Sequence, residues 1–145
     1  MKEIKVSIWD RQWDGYWRVI PINTVVKANG ELVMGAGLAK QARDRYENLD
    51  ELWGSFYASK PRSQLVLFGA KLLIGFPTKV YWKSDSSLEL IDNGLKELLS
   101  IRFAEEKIAS PRLGCGFGGL NWEQDVKPLV EKYFGDDDNF VVVSL

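Results

Sequence analysis

The feature that most constrains the fold is a glycine-rich segment in the last third of the chain. Four glycines fall within residues 114–119, between an apolar run ending at Ala109 and a helix-like run starting near Trp122. Glycine tolerates positive φ angles and lets backbone N–H groups approach an anion, and the N-terminal end of a following helix adds positive potential. This arrangement favours a phosphate cradle, although many strand-to-helix turns need glycine for geometry alone.

A second glycine loop precedes another helix earlier in the chain. Residues 29–39 contain Gly35 and Gly37, follow a strand ending at Asn23, and lead into a helix over Ala39–Tyr46. This loop is not a Walker A motif, because no Gly-Lys-Ser/Thr follows, and it lacks the third glycine of the dinucleotide fingerprint. Nucleoside triphosphate hydrolysis is therefore disfavoured. Two such loops could instead hold the two faces of a diphosphate with neutral backbone donors, and ADP-ribose is such a ligand.

The residue inventory excludes several classes of function. The 145 residues carry a net charge of −1, so there is no global electrostatic attraction to duplex nucleic acid. The chain has no histidine and one cysteine, which excludes Ser-His and Cys-His catalytic pairs, an internal disulfide framework and a structural zinc site. Acid, base or nucleophilic chemistry must then use Asp, Glu, Lys, Tyr or Cys115, and no cofactor or metal is implied.

Strand-like and helix-like segments alternate along the chain without a linker or repeat. The predicted strands are Ile4–Ile8, Trp17–Ile22, Leu65–Phe68, Leu72–Phe76, Lys107–Ala109 and Phe140–Val143, with the third and fourth forming a hairpin. The predicted helices are Leu38–Tyr46, Asp50–Ser59, one capped by Ser84 and running to about Phe103, and one starting at Trp122. These patterns predict one α/β domain over residues 1–145, with helices packed on a mixed sheet.

The N-terminal segment indicates no targeting signal. It alternates polar and apolar residues rather than forming an apolar block, and no stretch reaches the roughly 18 apolar residues that a membrane span needs. We therefore expect a soluble, cytoplasmic protein with no membrane partner.

Three separated motifs, taken in this order, resemble the macrodomain family. They are Pro21–Val25 leading to Met34–Ala39, then Phe76–Lys79, then Pro111–Trp122. The resemblance spans nearly the whole chain and is strongest to the branch of DarG-like and terminal ADP-ribose protein glycohydrolase-like domains. It implies a three-layer α/β/α fold with a central mixed sheet and ADP-ribose bound in a cleft over that sheet.

The resemblance implies ligand contacts on both glycine loops. One phosphate loop would consist of Gly35, Ala36 and Gly37. The other would consist of Gly114, Cys115, Gly116, Phe117 and Gly118. Read from the residues alone, Cys115 could be a nucleophile, but a small residue packed in a tight loop is the better interpretation.

Three polar residues have implied roles that depend on the alignment. Asn29 takes the place of the family's asparagine near the distal ribose if the alignment is anchored on Met34. Asn23 takes it if the anchor is the segment beginning at Ile22, and either asparagine could instead form a turn or cap the backbone. Asp10 stands where macrodomains carry the aspartate that accepts from the adenine amino group, and it could equally be a turn residue.

Lys79 is the implied catalytic residue, because a lysine in a Phe-Pro-Thr-Lys context is associated with cleavage of the ADP-ribosyl bond in this branch. A lysine can attack the anomeric carbon or stabilise charge there, provided that its pKa is lowered or a neighbour accepts its proton. Composition alone would favour a solvated lysine beside Lys83. A human member of the branch has an acidic residue where this chain has Gly118, so Asp85 or a substrate phosphate would have to replace that acid.

Three functions follow from these residues. The first is a hydrolase that removes ADP-ribose from a modified nucleic acid or protein, the second is an ADP-ribose 1″-phosphate phosphatase, and the third is a non-catalytic reader of ADP-ribose. The sequence is also compatible with a modest rim of basic and aromatic residues that contacts a nucleic acid strand, such as ADP-ribosylated DNA. Scattered surface charge explains the same residues equally well. The residues of that rim would be Arg43, Arg45, Lys60, Arg62, Lys79, Tyr81, Trp82 and Lys83.

Overall fold

The computed structural model describes residues 1–103 and 105–145 and contains a six-stranded sheet. The strands are β1 (Lys2–Lys5), β2 (Trp17–Ile22), β3 (Val66–Phe68), β4 (Leu73–Pro77), β5 (Ile108–Pro111) and β6 (Phe140–Ser144). The α-helices are α1 (Gly37–Arg45), α2 (Leu49–Tyr57), α3 (Leu88–Ile101) and α4 (Lys127–Phe134). The strand order is β1-β6-β5-β2-β4-β3, and every neighbouring pair is parallel except the β3–β4 hairpin.

The strands alternate their side chains between two helical layers. In β6, Phe140 and Val142 are buried in one core together with apolar residues of α3 and α4. Val141 and Val143 face the other side, where they pack with Trp13 of the 3-10 turn that follows β1. The helices α1 and α2 cover that second side over β2, β3 and β4. The expected three-layer α/β/α fold on a mixed sheet is therefore confirmed.

The first predicted strand and the third predicted helix have boundaries that differ from those expected, for local reasons. The first strand ends at Lys5 rather than Ile8, since the backbone N–H of Asp10 donates to the Ser7 carbonyl oxygen at 3.0 Å and closes a turn. The long helix is capped by Ser87 and not by Ser84. The Ser87 hydroxyl accepts from the backbone of Leu90 at 3.3 Å, which satisfies one free donor of the first helical turn.

The predicted hairpin and the predicted last helix both form, and each contains a turn that is not α-helical. The hairpin turn at Gly69–Lys71 forms as expected, in a 3-10 conformation, between antiparallel β3 and β4. The last helix opens with a π-helical turn over Trp122–Val126 before α4 begins. Pro128 lies in the first turn of α4, directly after the π-helical turn, at a position where proline is tolerated.

Five parallel strands end at the same edge of the sheet, and this edge positions the site. The segments that follow β1, β2, β4, β5 and β6 therefore meet in space, although they are distant in sequence. In open α/β sheets, ligands bind outside the carboxyl ends of the strands. In the described part of the chain, no helix combines the length and apolar character that crossing a bilayer would require.

Candidate functional site

A cleft of about 690 Å³ lies at the carboxyl edge of the parallel strands. Its walls come from the segments after all five of those strands and from the start of α1. The lining includes most of both glycine loops together with Lys79. This volume is within the range of a small-molecule site, and a pocket of this size can enclose a ligand as large as a dinucleotide-type molecule.

The two glycine loops face each other across the cleft. Gly37, with φ of +57°, begins α1, and Gly114, with φ of +73°, begins the second loop. Both angles lie in the left-handed region that favours glycine. A Cβ added to Gly37 would lie 3.6 Å from the Phe117 ring, so the second loop reaches over the first. Ala36, the residue that precedes α1, has no side-chain oxygen with which to cap the helical N–H groups, which leaves them available to an anion.

Lys79 lies in this same cleft, two residues beyond the end of β4. Its neighbour Thr78 is buried and fixed on both sides. The Thr78 N–H donates to the carbonyl of Ile22 at 3.0 Å, and its own carbonyl accepts from Ser87 at 2.7 Å. The sheet therefore holds the backbone next to Lys79, while the half-buried lysine side chain faces the cleft.

Of the two candidate asparagines, only Asn23 lines the cleft. Its amide is already engaged, because Nδ2 donates to the Val33 carbonyl at 3.0 Å and Oδ1 accepts from the Val25 N–H at 3.0 Å. Asn29 is exposed in a turn, where its Oδ1 accepts from the backbone of Glu31 at 3.1 Å. Both side chains therefore support loop geometry, and Asn23 holds the strand end and the first glycine loop together.

Asp10 lies outside the cleft, at the start of the 3-10 turn after β1. Its carboxylate accepts from the backbone N–H of Gln12 at 2.9 Å. That hydrogen bond lowers the pKa of the Asp10 carboxyl. This hydrogen bond is the one that a turn aspartate makes, and the edge of the cleft after β1 includes Val6, Ser7 and Ile8.

Known proteins with related sequences and structures match this arrangement. The DNA ADP-ribosyl glycohydrolase of Mycobacterium tuberculosis is 36% identical over 126 residues, covering 77% of this chain and 34% of the relative. The solved macrodomain of M. tuberculosis DarG is 28% identical, with a TM-score of 0.76, and the match covers 100% of this chain and 99% of that one. The chain is a macrodomain of the DarG-like branch.

A further comparison concerns a structure solved with ligand. Thermosipho africanus DarTG in complex with ADP-ribose has a TM-score of 0.74 and 26% identity, covering 94% of this macrodomain and 39% of that chain. The macrodomain spans about a third of the length of the curated relatives that it matches. A scan against protein-family models found no match.

Gly118 occupies a position of this macrodomain that has no room for a side chain. A Cβ placed there would lie 2.1 Å from the Ser86 hydroxyl oxygen and 2.5 Å from the Gly114 carbonyl oxygen. The Ser86 N–H also donates to the Gly118 carbonyl at 2.9 Å, which fixes the two loops against each other. The glycine in place of an acidic residue is thus a requirement of this loop packing.

Cys115 belongs to the second glycine loop, but it is not among the residues that line the cleft, and it packs against the hydrophobic core. Its thiol donates to the Leu113 carbonyl at 3.3 Å. Burial raises the pKa of the Cys115 thiol, so the group is protonated at neutral pH. A protonated, hydrogen-bonded thiol fits the interpretation of Cys115 as a small packed residue.

Ser86 and Gln41 are cleft residues that the sequence patterns did not reveal. Gln41 lies one helical turn after Gly37, a spacing that could have placed it on the cleft side of α1. Its side-chain oxygen accepts from the Trp9 indole at 2.7 Å. Ser86 carried no signal, because its position depends on the close approach of the segment before α3 to Gly118.

Proposed function

We propose that this macrodomain binds ADP-ribose in the cleft and hydrolyses the bond that joins ADP-ribose to a DNA base. The observation that carries the proposal is the meeting of Lys79 with two opposed glycine loops in one cleft. The names of the relatives support DNA as the substrate, because they are DNA ADP-ribosyl glycohydrolases. A modified protein is the other substrate that the same chemistry would accept.

In the proposed mechanism, the backbone of the two loops binds the diphosphate and so places the distal ribose beside Lys79. Neutral N–H donors suit this task in a chain with a net charge of −1. The neutral Lys79 amine then attacks C1″, forming a C1″–N bond as the bond to the base breaks, and the lysine nitrogen gives up a proton to the departing base. Water afterwards cleaves the C1″–N bond and restores the lysine. Alternatively, the lysine cation stabilises the negative charge that develops on the departing base, while water attacks C1″ and its proton passes to that base.

A non-catalytic reader is the second candidate, and Gly118 is the observation that favours it. Since that position excludes a side chain, no acidic residue can stand there to take a proton from Lys79. The chain also lacks histidine, the commonest general base. Binding of ADP-ribose without hydrolysis would then be the whole function.

A panel of three substrates decides between these functions. Purified protein is incubated with ADP-ribose linked to a DNA base, ADP-ribose linked to a protein glutamate, and ADP-ribose 1″-phosphate, and the released ADP-ribose and phosphate are quantified. We expect release from the DNA substrate. Release of phosphate alone would identify the phosphatase, and binding of ADP-ribose by calorimetry without any release would identify a reader.

We also propose a cytoplasmic location. One cysteine gives no internal disulfide, whereas small secreted domains commonly depend on several. Localisation of the tagged, full-length protein by cell fractionation tests this directly.

Cys115→Ser is expected to leave the rate of ADP-ribose release within about twofold of the wild type, because a protonated, packed thiol is not a nucleophile. The measurement is the initial rate on the DNA-linked substrate at saturating concentration. A loss of tenfold or more with unchanged ADP-ribose affinity would contradict the structural interpretation of Cys115.

A further inference from the structure

Two exposed aromatic residues follow Lys79 after Val80, and the second of them, Trp82, lines the cleft. Tyr81 is 52% exposed and Trp82 is 47% exposed. Their ring planes are 20° apart and their centroids are 6.4 Å apart, so the two rings lie nearly parallel, and we call this pair the aromatic platform. Large apolar side chains next to each other on a surface are a common sign of a binding site.

The platform belongs to a loop that is fixed at its base. The carbonyl of Thr78 and the N–H of Ser87 close the loop with a hydrogen bond of 2.7 Å. Within it, the Ser84 N–H donates to the Tyr81 carbonyl at 3.1 Å, which forms a turn that carries both rings. The loop is also tied to the second glycine loop through Ser86 and Gly118. The rings are therefore presented from a defined position beside the cleft.

The charge around the platform suits a polyanion. Lys83 places its ammonium 4.8 Å from the centre of the Trp82 ring, and Lys79 lies on the cleft side. The acidic residue of the same loop, Asp85, has its carboxylate at Gly119, where an added Cβ would lie 3.2 Å from Oδ1. Lys83 therefore supplies a positive charge beside the Trp82 ring.

The position of the platform determines which part of a substrate can reach it. In the proposed function, C1″ lies at Lys79, so every atom beyond C1″ belongs to the leaving group and runs from Lys79 toward solvent. Trp82 and Lys79 both line the cleft. Stacking on an aromatic side chain requires a free base face, which a nucleotide in a single strand has and a stacked base pair lacks.

We propose that Tyr81 and Trp82 bind the nucleotide next to the ADP-ribosylated base in single-stranded DNA, with Lys83 beside its phosphate. This inference rests on the proposed function, since it needs a DNA-linked substrate. The platform makes Tyr81 and Trp82 positioning residues, which select the strand and align it while Lys79 acts on C1″. Duplex DNA is a poor substrate because its bases are stacked on both faces.

The test compares two substrates that differ only in length. One is an ADP-ribosylated mononucleotide, and the other is the same modified nucleotide within a single strand of about eight nucleotides, the scale of one single-strand binding site. The quantity measured is the ratio of kcat/KM for the strand to kcat/KM for the mononucleotide. We expect Tyr81→Ala to lower this ratio about tenfold, in line with alanine substitution at stacking positions, and Tyr81→Phe to preserve it.

A matched control is available at the other end of α3. Phe103 is 75% exposed and follows the end of that helix, whereas the platform precedes its start, so Phe103→Ala removes an exposed ring at the opposite end of α3. The ratio should not change in this variant. Trp82→Ala should lower it as Tyr81→Ala does, and thermal unfolding shows whether each variant is folded.

The outcomes separate the inference from the proposed function. If the wild type releases ADP-ribose from both substrates but Tyr81→Ala leaves the ratio unchanged, the inference is wrong and the function stands. An equal loss for the variant on ADP-ribosylated protein would show that the platform does not recognise DNA. If the wild type releases ADP-ribose from neither DNA substrate, the proposed function fails and the inference fails with it.

Discussion

Lys79→Ala is expected to lower the rate of ADP-ribose release from the DNA-linked substrate by about 100-fold or more, the scale of losing a nucleophile or an essential charge. ADP-ribose itself should still bind, because the diphosphate is assigned to the backbone of the two glycine loops rather than to this side chain. The measurements are single-turnover rates and calorimetric affinity for ADP-ribose. Together they separate loss of chemistry from loss of binding.

Lys83→Ala is the matched control, since it removes another lysine of the same loop whose ammonium lies over Trp82 rather than in the cleft. It should leave the rate on an ADP-ribosylated mononucleotide far closer to the wild type than Lys79→Ala does. Lys79→Arg distinguishes the two roles of the lysine, because a guanidinium keeps the positive charge but cannot lose its proton to attack C1″. An unchanged rate in Lys79→Ala would refute the mechanism.

The sequence predicted the parts of the site that depend on local chain order. Glycine before a helix and after a strand specifies a strand-loop-helix unit, and both glycine loops were found on this basis, with their facing arrangement following from parallel strands that end at one edge. Phe76–Lys79 could be placed because a strand precedes the lysine directly. These features need only neighbours in sequence and a common sheet edge.

The sequence could not predict features that depend on contact between distant segments. Ser84 and Ser87 are equally good caps by type, and the choice was made by the hydrogen bond between Ser87 and Thr78, which closes the loop. Asp10 could not be assigned because the turn after Ser7 and the hydrogen bond from Gln12 to the Asp10 carboxylate are not specified by residue type alone. Ser86 could not be predicted for the same reason, since only the folded chain brings it against Gly118.

Gly118→Asp is expected to reduce ADP-ribose affinity by about tenfold or more and to create no new activity, although it introduces the acidic residue of the human relative. The reason is steric: the Cβ alone would lie 2.1 Å from the Ser86 hydroxyl and 2.5 Å from the Gly114 carbonyl. Overpacking of this kind typically costs about 1–3 kcal/mol. Here the loop would move to relieve it, which displaces the backbone donors that face the diphosphate. Calorimetry with ADP-ribose measures the effect.

Gly116→Ala provides the matched control on the same loop, because among the described residues, its two chain neighbours aside, no heavy atom lies within 4 Å of a Cβ at that position. Gly116→Ala should have the same free energy of unfolding as the wild type, whereas Gly118→Ala should already have a lower one. Combining Gly118→Ala with Ser86→Gly should recover part of the ADP-ribose affinity that Gly118→Ala loses. The second substitution removes the contact with the Ser86 hydroxyl, while the contact with the Gly114 carbonyl remains. If Gly118→Asp instead keeps full ADP-ribose affinity and releases ADP-ribose faster, the loop opens readily to accept the side chain. Contact with Ser86 would then not be the reason why position 118 lacks an acidic residue.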